Sequence, residues 1–241
     1  MMSPLRIGIA GLGTVGAGTL SILQKNAAQI AARAGRSIVV TAVSMRDAKK
    51  KRDVMLDGIR IEADARALAS ANDVDVVVEM IGGAEGIAHE LVAAALANKK
   101  HVVTANKALL AHHGFTLAAL AEKNNVVLAF EAAVAGGIPI IGALRSGLAA
   151  NSILRVAGIL NGTCNYILTT MEKEKRDFAE VLADAQALGY AEADPSFDVD
   201  GIDAAHKVAI LASLAFGTRP DFAALHIEGI RRISLADIDY A

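Results

Sequence analysis

A single cysteine rules out any internal disulfide, so packing alone must hold this chain together, as suits a reducing compartment. Charge is nearly balanced at −2, which gives no reason to expect a nucleic-acid partner. No apolar run approaches the roughly 18 residues of a membrane span. The N-terminus, Met1-Met2-Ser3-Pro4-Leu5-Arg6, runs straight into a short apolar segment and lacks the layout of a signal peptide. Internal repeats and low-complexity stretches are missing. His101, His112 and His113 have no metal-ligand spacing with a nearby acid or cysteine and are expected in surface or packing roles. Cys164 falls at a helix start without an assignable basic partner and reads as a small core residue. Together these absences predict a soluble cytoplasmic protein.

What is present is aliphatic and rich in glycine: 54% hydrophobic residues and 21 glycines, with aromatics at only 4% and no tryptophan. With 241 residues there is room for one large domain or two small ones. Leu5–Ala10 reads as a buried strand. It meets Gly11-Leu12-Gly13-Thr14-Val15-Gly16, and a helix is expected from there to about Ala32. Strand, G-x-G-x-x-G, helix is the context that makes this motif a dinucleotide site. Gly11 permits the tight turn, Gly13 lets a pyrophosphate approach the backbone, and Gly16 lets helix pack on strand. The helix N-terminus offers free N–H groups and partial positive charge to the phosphates.

Ile38–Met45 is the second strand, and at its end an NAD-specific protein usually places an acid for the ribose 2′-hydroxyl. Here Arg46 precedes Asp47, followed by Lys49, Lys50, Lys51 and Arg52. Arg46 and its basic neighbours suit a 2′-phosphate and favour NADP, whereas Asp47 argues for NAD, and both stay open. Further strands are expected over Asp73–Gly83, His101–Thr104 and Val126–Phe130, separated by helices over Glu85–Asn98 and from Lys107 to about Asn124. Strands alternating with helices of this length predict an α/β fold, a Rossmann-type doubly wound parallel sheet. Gly11, Arg46, Gly82, Lys107 and Glu131 all follow strand ends, so they should line one edge of it.

After Glu131 the pattern changes. A small, glycine-rich stretch leads to a helix begun at Pro139, then an imperfectly alternating strand over Ser152–Leu160, then helices over Cys164–Glu174 and Asp177–Leu188. This divides the chain into a nucleotide-binding domain, 1–135, and a second α+β domain, 136–241, for substrate and dimerisation. Its acidic stretch runs from Gly189 to Lys207. Pro195 and Gly201 break it, and from Ile202 the spacing is helical, which puts Asp203 and Lys207 on one face. Taken alone, such a pair is most simply a surface ion pair. Five carboxylates and one lysine bordering an apolar helix are less ordinary, and the stretch is expected to be the second wall of a cleft facing the nucleotide edge.

Six motifs resemble the homoserine dehydrogenase family, in order along nearly the whole chain. They are Gly11-Leu12-Gly13-Thr14-Val15-Gly16, Val78-Glu79-Met80-Ile81-Gly82-Gly83, Val103-Thr104-Ala105-Asn106-Lys107-Ala108-Leu109-Leu110, Phe130–Ile140, Leu160–Ile167 and Leu188–Pro195. The resemblance implies reversible, NAD(P)H-dependent reduction of aspartate 4-semialdehyde to homoserine, on the route to threonine, methionine and isoleucine. It assigns proton donation to Lys207, with Asp203 beside it as the second catalytic residue. Glu192 would take the substrate ammonium, Asp198 would support that end, and Lys107 would lie between nicotinamide and substrate. Cofactor contacts would fall on Gly11, Leu12, Gly13, Thr14, Val15, Gly16, Arg46, Gly82, Thr104, Lys107, Gly189 and Glu192. A sodium ion would be held by the backbone carbonyls of Glu131, Val134, Gly136 and Ile138. The family forms homodimers largely through the second domain. Its catalytic region continues past Ser234–Ala241, often into a regulatory ACT domain, so threonine feedback through that domain is not expected here. The alternatives to be separated are a related amino-acid dehydrogenase and an inactive chain that only binds nucleotide.

Overall fold

The computed structural model describes residues 3–47 and 51–241, which fall into two compact units, Met1–Ala143 and Leu144–Ala241. The first unit is built on a six-stranded parallel sheet: β1 (Leu5–Ala10), β2 (Ile38–Ser44), β3 (Arg60–Glu62), β4 (Val76–Glu79), β5 (His101–Thr104) and β6 (Leu128–Ala129). Their order across the sheet is β3-β2-β1-β4-β5-β6, the doubly wound arrangement of dinucleotide-binding domains. Val, Ile and Ala dominate the central strands because helices cover a parallel sheet on both faces. Ile9, Val43, Val77 and Val102 are fully buried as a result. Ala10 pairs in register with Ser44 on one side and Glu79 on the other, so the loops after three strands open at one level of the sheet.

The helices of this unit are α1 (Thr14–Lys25), α2 (Ala27–Ala34), α3 (Ile87–Ala97), α4 (Lys107–Lys123) and the short α5 (Ile140–Gly142). The helix expected to run to Ala32 is broken at Asn26, which closes α1 and opens α2. The strand β3 has no counterpart in the sequence reading: three residues, two of them charged, carry no strand periodicity, and pairing with β2 alone creates it. At the amino-terminal end of the two central strands, Arg6 grips Asp75 through two side-chain bonds of 2.6 and 3.0 Å and a backbone N–H at 3.0 Å. This ties the start of β1 to the approach to β4. The glycine-rich stretch after Glu131 stays with the first unit, because the Glu131 carboxylate accepts from the N–H groups of Ile141 and Gly142, both at 2.9 Å.

The second unit contains α6 (Gly162–Glu174), α7 (Phe178–Ala187), α8 (Ser196–Val199), α9 (Ile202–Phe216) and α10 (Leu235–Tyr240). Ile167, Met171, Val181, Ala185 and Val199 are its buried core, with Leu235 and Ile238 packed against them. The strand expected over Ser152–Leu160 does not form: among the described residues that segment carries no regular structure, and Leu154 and Ile159 stand exposed at 91% and 79%. A strand exists only when another pairs with it, and this unit offers it none among the described residues.

Candidate active site

The glycine turn of the first unit is shaped by two different constraints. At Gly11, φ is +93° and a Cβ would stand 2.8 Å from the Met80 carbonyl oxygen, so only glycine fits. At Gly16 a Cβ would lie 2.0 Å from the Gly11 carbonyl oxygen, so α1 can pack this close to the turn only through a glycine. Gly13 is neither strained nor crowded: its φ is −78°, and a Cβ would meet nothing within 4 Å. Nothing in the chain itself requires glycine at this position.

Gly11, Leu12 and Gly13 line a cavity of about 530 Å³ together with Met45, Arg46 and Ile81. Arg52 lines it too and donates from Nε to the Leu12 carbonyl at 2.7 Å, clasping the glycine turn from the loop after β2. Asp47 and Asp64 face the same cavity. Lys49 and Lys50 lie outside the described residues. Thr14, Val15, Gly82, Thr104 and Lys107 sit at the turn or at the same carboxyl edge without lining the cavity.

The loop after β4 is held by a buried network that the sequence reading had left unassigned. Glu79 is fully buried; its Oε1 accepts from the N–H groups of Ile81 and Gly82 at 2.7 and 3.0 Å. Thr104 donates to Glu79 Oε2 at 2.5 Å and accepts from the Asn106 N–H at 2.9 Å. Asn106 in turn donates to the Gly83 carbonyl at 2.7 Å and caps α4 by accepting from Leu109 N–H. Two motifs far apart in sequence are thus one buried structure that sets the path of Ile81–Gly83, where Gly82 and Gly83 both need positive φ. An acid closing the run Val76-Val77-Val78 was the signal for it, because a carboxyl group buried in a strand needs dedicated partners.

In the second unit the acidic stretch folds around Lys207. Its ammonium lies 2.6 Å from Asp203 Oδ2 and 2.6 Å from the Leu160 carbonyl. This is no surface pair: Asp203 is 4% exposed. Asn161 donates its two amide hydrogens to Asp198 Oδ1 at 2.8 Å and Asp203 Oδ2 at 2.9 Å, and accepts from Cys164 N–H at 2.7 Å as the cap of α6. In the sequence Asn161 stands out only as part of the Leu160–Ile167 motif. Thr163 reaches the other oxygen of Asp198 at 3.3 Å and the Tyr190 carbonyl at 2.9 Å. Lys207, Asp203 and Asp198 are therefore gathered through Asn161. Glu192 is exposed, and its backbone carbonyl accepts from Gln186 at 3.0 Å. Gly189 closes α7 with φ +77°.

Two further features frame this cluster. Cys164 is half-buried with its thiol directed to the Asp198 carbonyl at 3.3 Å; burial first, then Asp198 and Asp203, push its pKa up to about 11. The chain also crosses itself behind α8. A Cβ on Gly229 would stand 2.5 Å from the Val199 carbonyl oxygen, and one on Gly201 would stand 3.0 Å from that of Glu228. Arg231 locks the crossing through Asp200 and Ser196.

Elsewhere in the first unit His101 accepts from Val127 N–H at 3.0 Å. His113 behaves differently and pairs with Glu85 at 2.6 Å. Among the described residues no helix is long and apolar enough to cross a membrane.

A doubly wound sheet with a glycine turn under an open cavity defines a dinucleotide-binding chain of Rossmann type. The chain belongs to the homoserine dehydrogenase family: residues 11–131 match the family's NAD-binding domain and residues 139–241 match the homoserine dehydrogenase domain. It is 55% identical over 240 residues to the homoserine dehydrogenase of Pseudomonas aeruginosa, covering 100% of this chain and 55% of that protein. The crystal structure of a homoserine dehydrogenase from Thiobacillus denitrificans superposes with a TM-score of 0.93 at 48% identity, over 99% of this chain and 55% of that one. A hyperthermophilic archaeal homoserine dehydrogenase solved in complex with NADPH superposes at 0.80 with 27% identity, over 96% and 75%. The chain thus spans about half the length of the curated relatives it matches.

Proposed function

We propose that the chain carries out the reversible, NAD(P)H-dependent interconversion of aspartate 4-semialdehyde and homoserine in the cytoplasm, on the route to threonine, methionine and isoleucine. Residues 1–135 hold the cofactor, and 136–241 hold substrate and the homodimer contact. One observation carries the reading: a lysine ammonium fixed by a buried aspartate and a backbone carbonyl, in a chain that also holds a dinucleotide turn. An ammonium has three hydrogens. Two point at Asp203 and Leu160, which leaves the third for a substrate oxygen.

When bound, the nicotinamide supplies the hydride to the aldehyde carbon. Lys207 holds the proton at Nζ and delivers it where negative charge grows on the oxygen, and Asp203 fixes its direction. Asp198, held by Asn161 and Thr163, supports the ammonium end of the substrate with Glu192. Lys107 stands between nicotinamide and substrate. Gly11, Leu12, Gly13, Thr14, Val15, Gly16, Arg46, Gly82, Thr104, Gly189 and Glu192 hold the cofactor.

Arg46 and Arg52 on the cavity, and the relative solved with NADPH, support NADP. Asp47 and Asp64 on the same cavity support the second reading, NAD, through the ribose hydroxyls. Sodium is proposed on the backbone carbonyls of Glu131, Val134, Gly136 and Ile138, hard oxygen donors suited to a hard cation; the Ile138 carbonyl, which accepts from Ile140 N–H at 2.8 Å, would be shared with that bond. The test is aldehyde reduction by the purified chain, run in parallel with NADH and NADPH, with and without sodium. Turnover is expected, faster with NADPH, and abolished in Lys207→Ala while cofactor binding persists. Normal turnover by Lys207→Ala overturns the role of Lys207, and cofactor binding without turnover overturns catalysis by this chain.

A further inference from the structure

We infer that Glu85, His89 and His113, none of which lines the nucleotide cavity, form a binding site for a divalent transition-metal ion. Glu85 lies just before α3, His89 in the first turn of that helix, and His113 on the neighbouring α4. Their ligand atoms all come within 4.8 Å of one another. Glu85 Oε1 and His113 Nε2 are 2.6 Å apart, and the His89 and His113 rings stack at 4.2 Å with planes 20° apart.

This donor set is chemically selective. Two imidazoles and one carboxylate suit zinc, cobalt or nickel, whereas magnesium and calcium demand mostly oxygen. Three protein ligands leave a fourth position for water. A metal bonded to both rings would join α3 to α4. Sequence spacing hid the site because only Glu85 and His89 are close in the chain, and packing of α4 on α3 supplies the third ligand. His112 is exposed on α4 with its ring 6.5 Å from that of His113, and it is not one of the three ligands.

The experiment uses the full chain without a histidine tag, stripped with a chelator and titrated with zinc by calorimetry and with cobalt by visible absorption. One equivalent per chain is expected, with cobalt bands of nitrogen and oxygen ligation and a higher melting temperature in zinc. His89→Asn and His113→Asn should each weaken binding roughly tenfold or more while circular dichroism stays unchanged. His112→Asn should bind as the parent does. Absence of saturable binding, reflecting a histidine–glutamate ion pair only, overturns the site. So does binding that survives both His89→Asn and His113→Asn.

Discussion

Gly16 stands so near Gly11 that a methyl group on it would lie 2.0 Å from the Gly11 carbonyl oxygen, while Gly13 between them has open space around its Cα. Substitution should separate the two. Gly16→Ala forces α1 off the sheet and is expected to cost about 3 kcal/mol or more, or to prevent soluble folding. Gly13→Ala should melt within about 0.5 kcal/mol of the parent yet bind dinucleotide roughly tenfold or more weakly. Thermal melts and calorimetry with NADPH and NADH check both. Unimpaired binding by Gly13→Ala would remove the pyrophosphate from that position.

Asn161 is the next position to test. Asn161→Ala removes the cap of α6 and leaves Asp198 and Asp203 without their shared donor. A lost cap costs about 1 kcal/mol, and lost hydrogen bonds to charged groups about 1.5–3 kcal/mol more. Urea unfolding should therefore show a loss of about 2–4 kcal/mol. Turnover should fall as well, because Asp203 loses its second anchor. A variant as stable as the parent would show that water replaces the amide at no cost.

The Arg6–Asp75 pair sets an acid limit. The Arg6 guanidinium lowers the Asp75 carboxyl from 3.8 to about 2, so the pair stabilises the fold above pH 4 and its contribution fades as pH falls towards 2. Asp75→Asn should therefore lose stability at neutral pH and converge on the parent near pH 2. Both partners are partly exposed, 42% and 31% by side chain, so about 1 kcal/mol is expected at pH 7. Urea midpoints measured at intervals from pH 7 to pH 2 give the comparison. Parallel curves at every pH would remove the pair as the cause.

Cys164 should be sluggish towards alkylating reagents. With its pKa near 11 the thiolate fraction at pH 8 is roughly two orders of magnitude below that of a free cysteine, and labelling should slow in proportion. Iodoacetamide labelling followed by mass spectrometry, native against urea-unfolded, provides the measurement. Equal rates in the two states would mean the thiol is accessible and ordinary.

The sheet was legible because its signals are local. Leu5–Ala10, Ile38–Met45 and His101–Thr104 are apolar runs bounded by turns, and the alternation with helices dictates parallel pairing. Lys207 and Asp203 were legible as one face of a helix. What the sequence hid depends on contacts between distant segments. Asn161 bridges two acids that lie 37 and 42 residues further along, and Glu79 meets Thr104 across two strands. The strand expected over Ser152–Leu160 failed for the complementary reason: alternation describes a face, and pairing needs a neighbour. His113 seemed to lack an acid partner because Glu85 is 28 residues away and meets it only when two helices pack.

The glycine crossing behind α8 has a consequence for how such a site diversifies. Neither Gly201 nor Gly229 can accept even a methyl group without pushing one backbone off the other, and Asp198 and Asp203 flank that contact in sequence. The spacing of the two acids is therefore inherited as a fixed gauge, closed to adjustment by single substitutions at the crossing. A descendant that took a bulkier ligand would have to leave this gauge alone and reshape the exposed side around Glu192, where a side chain can change length.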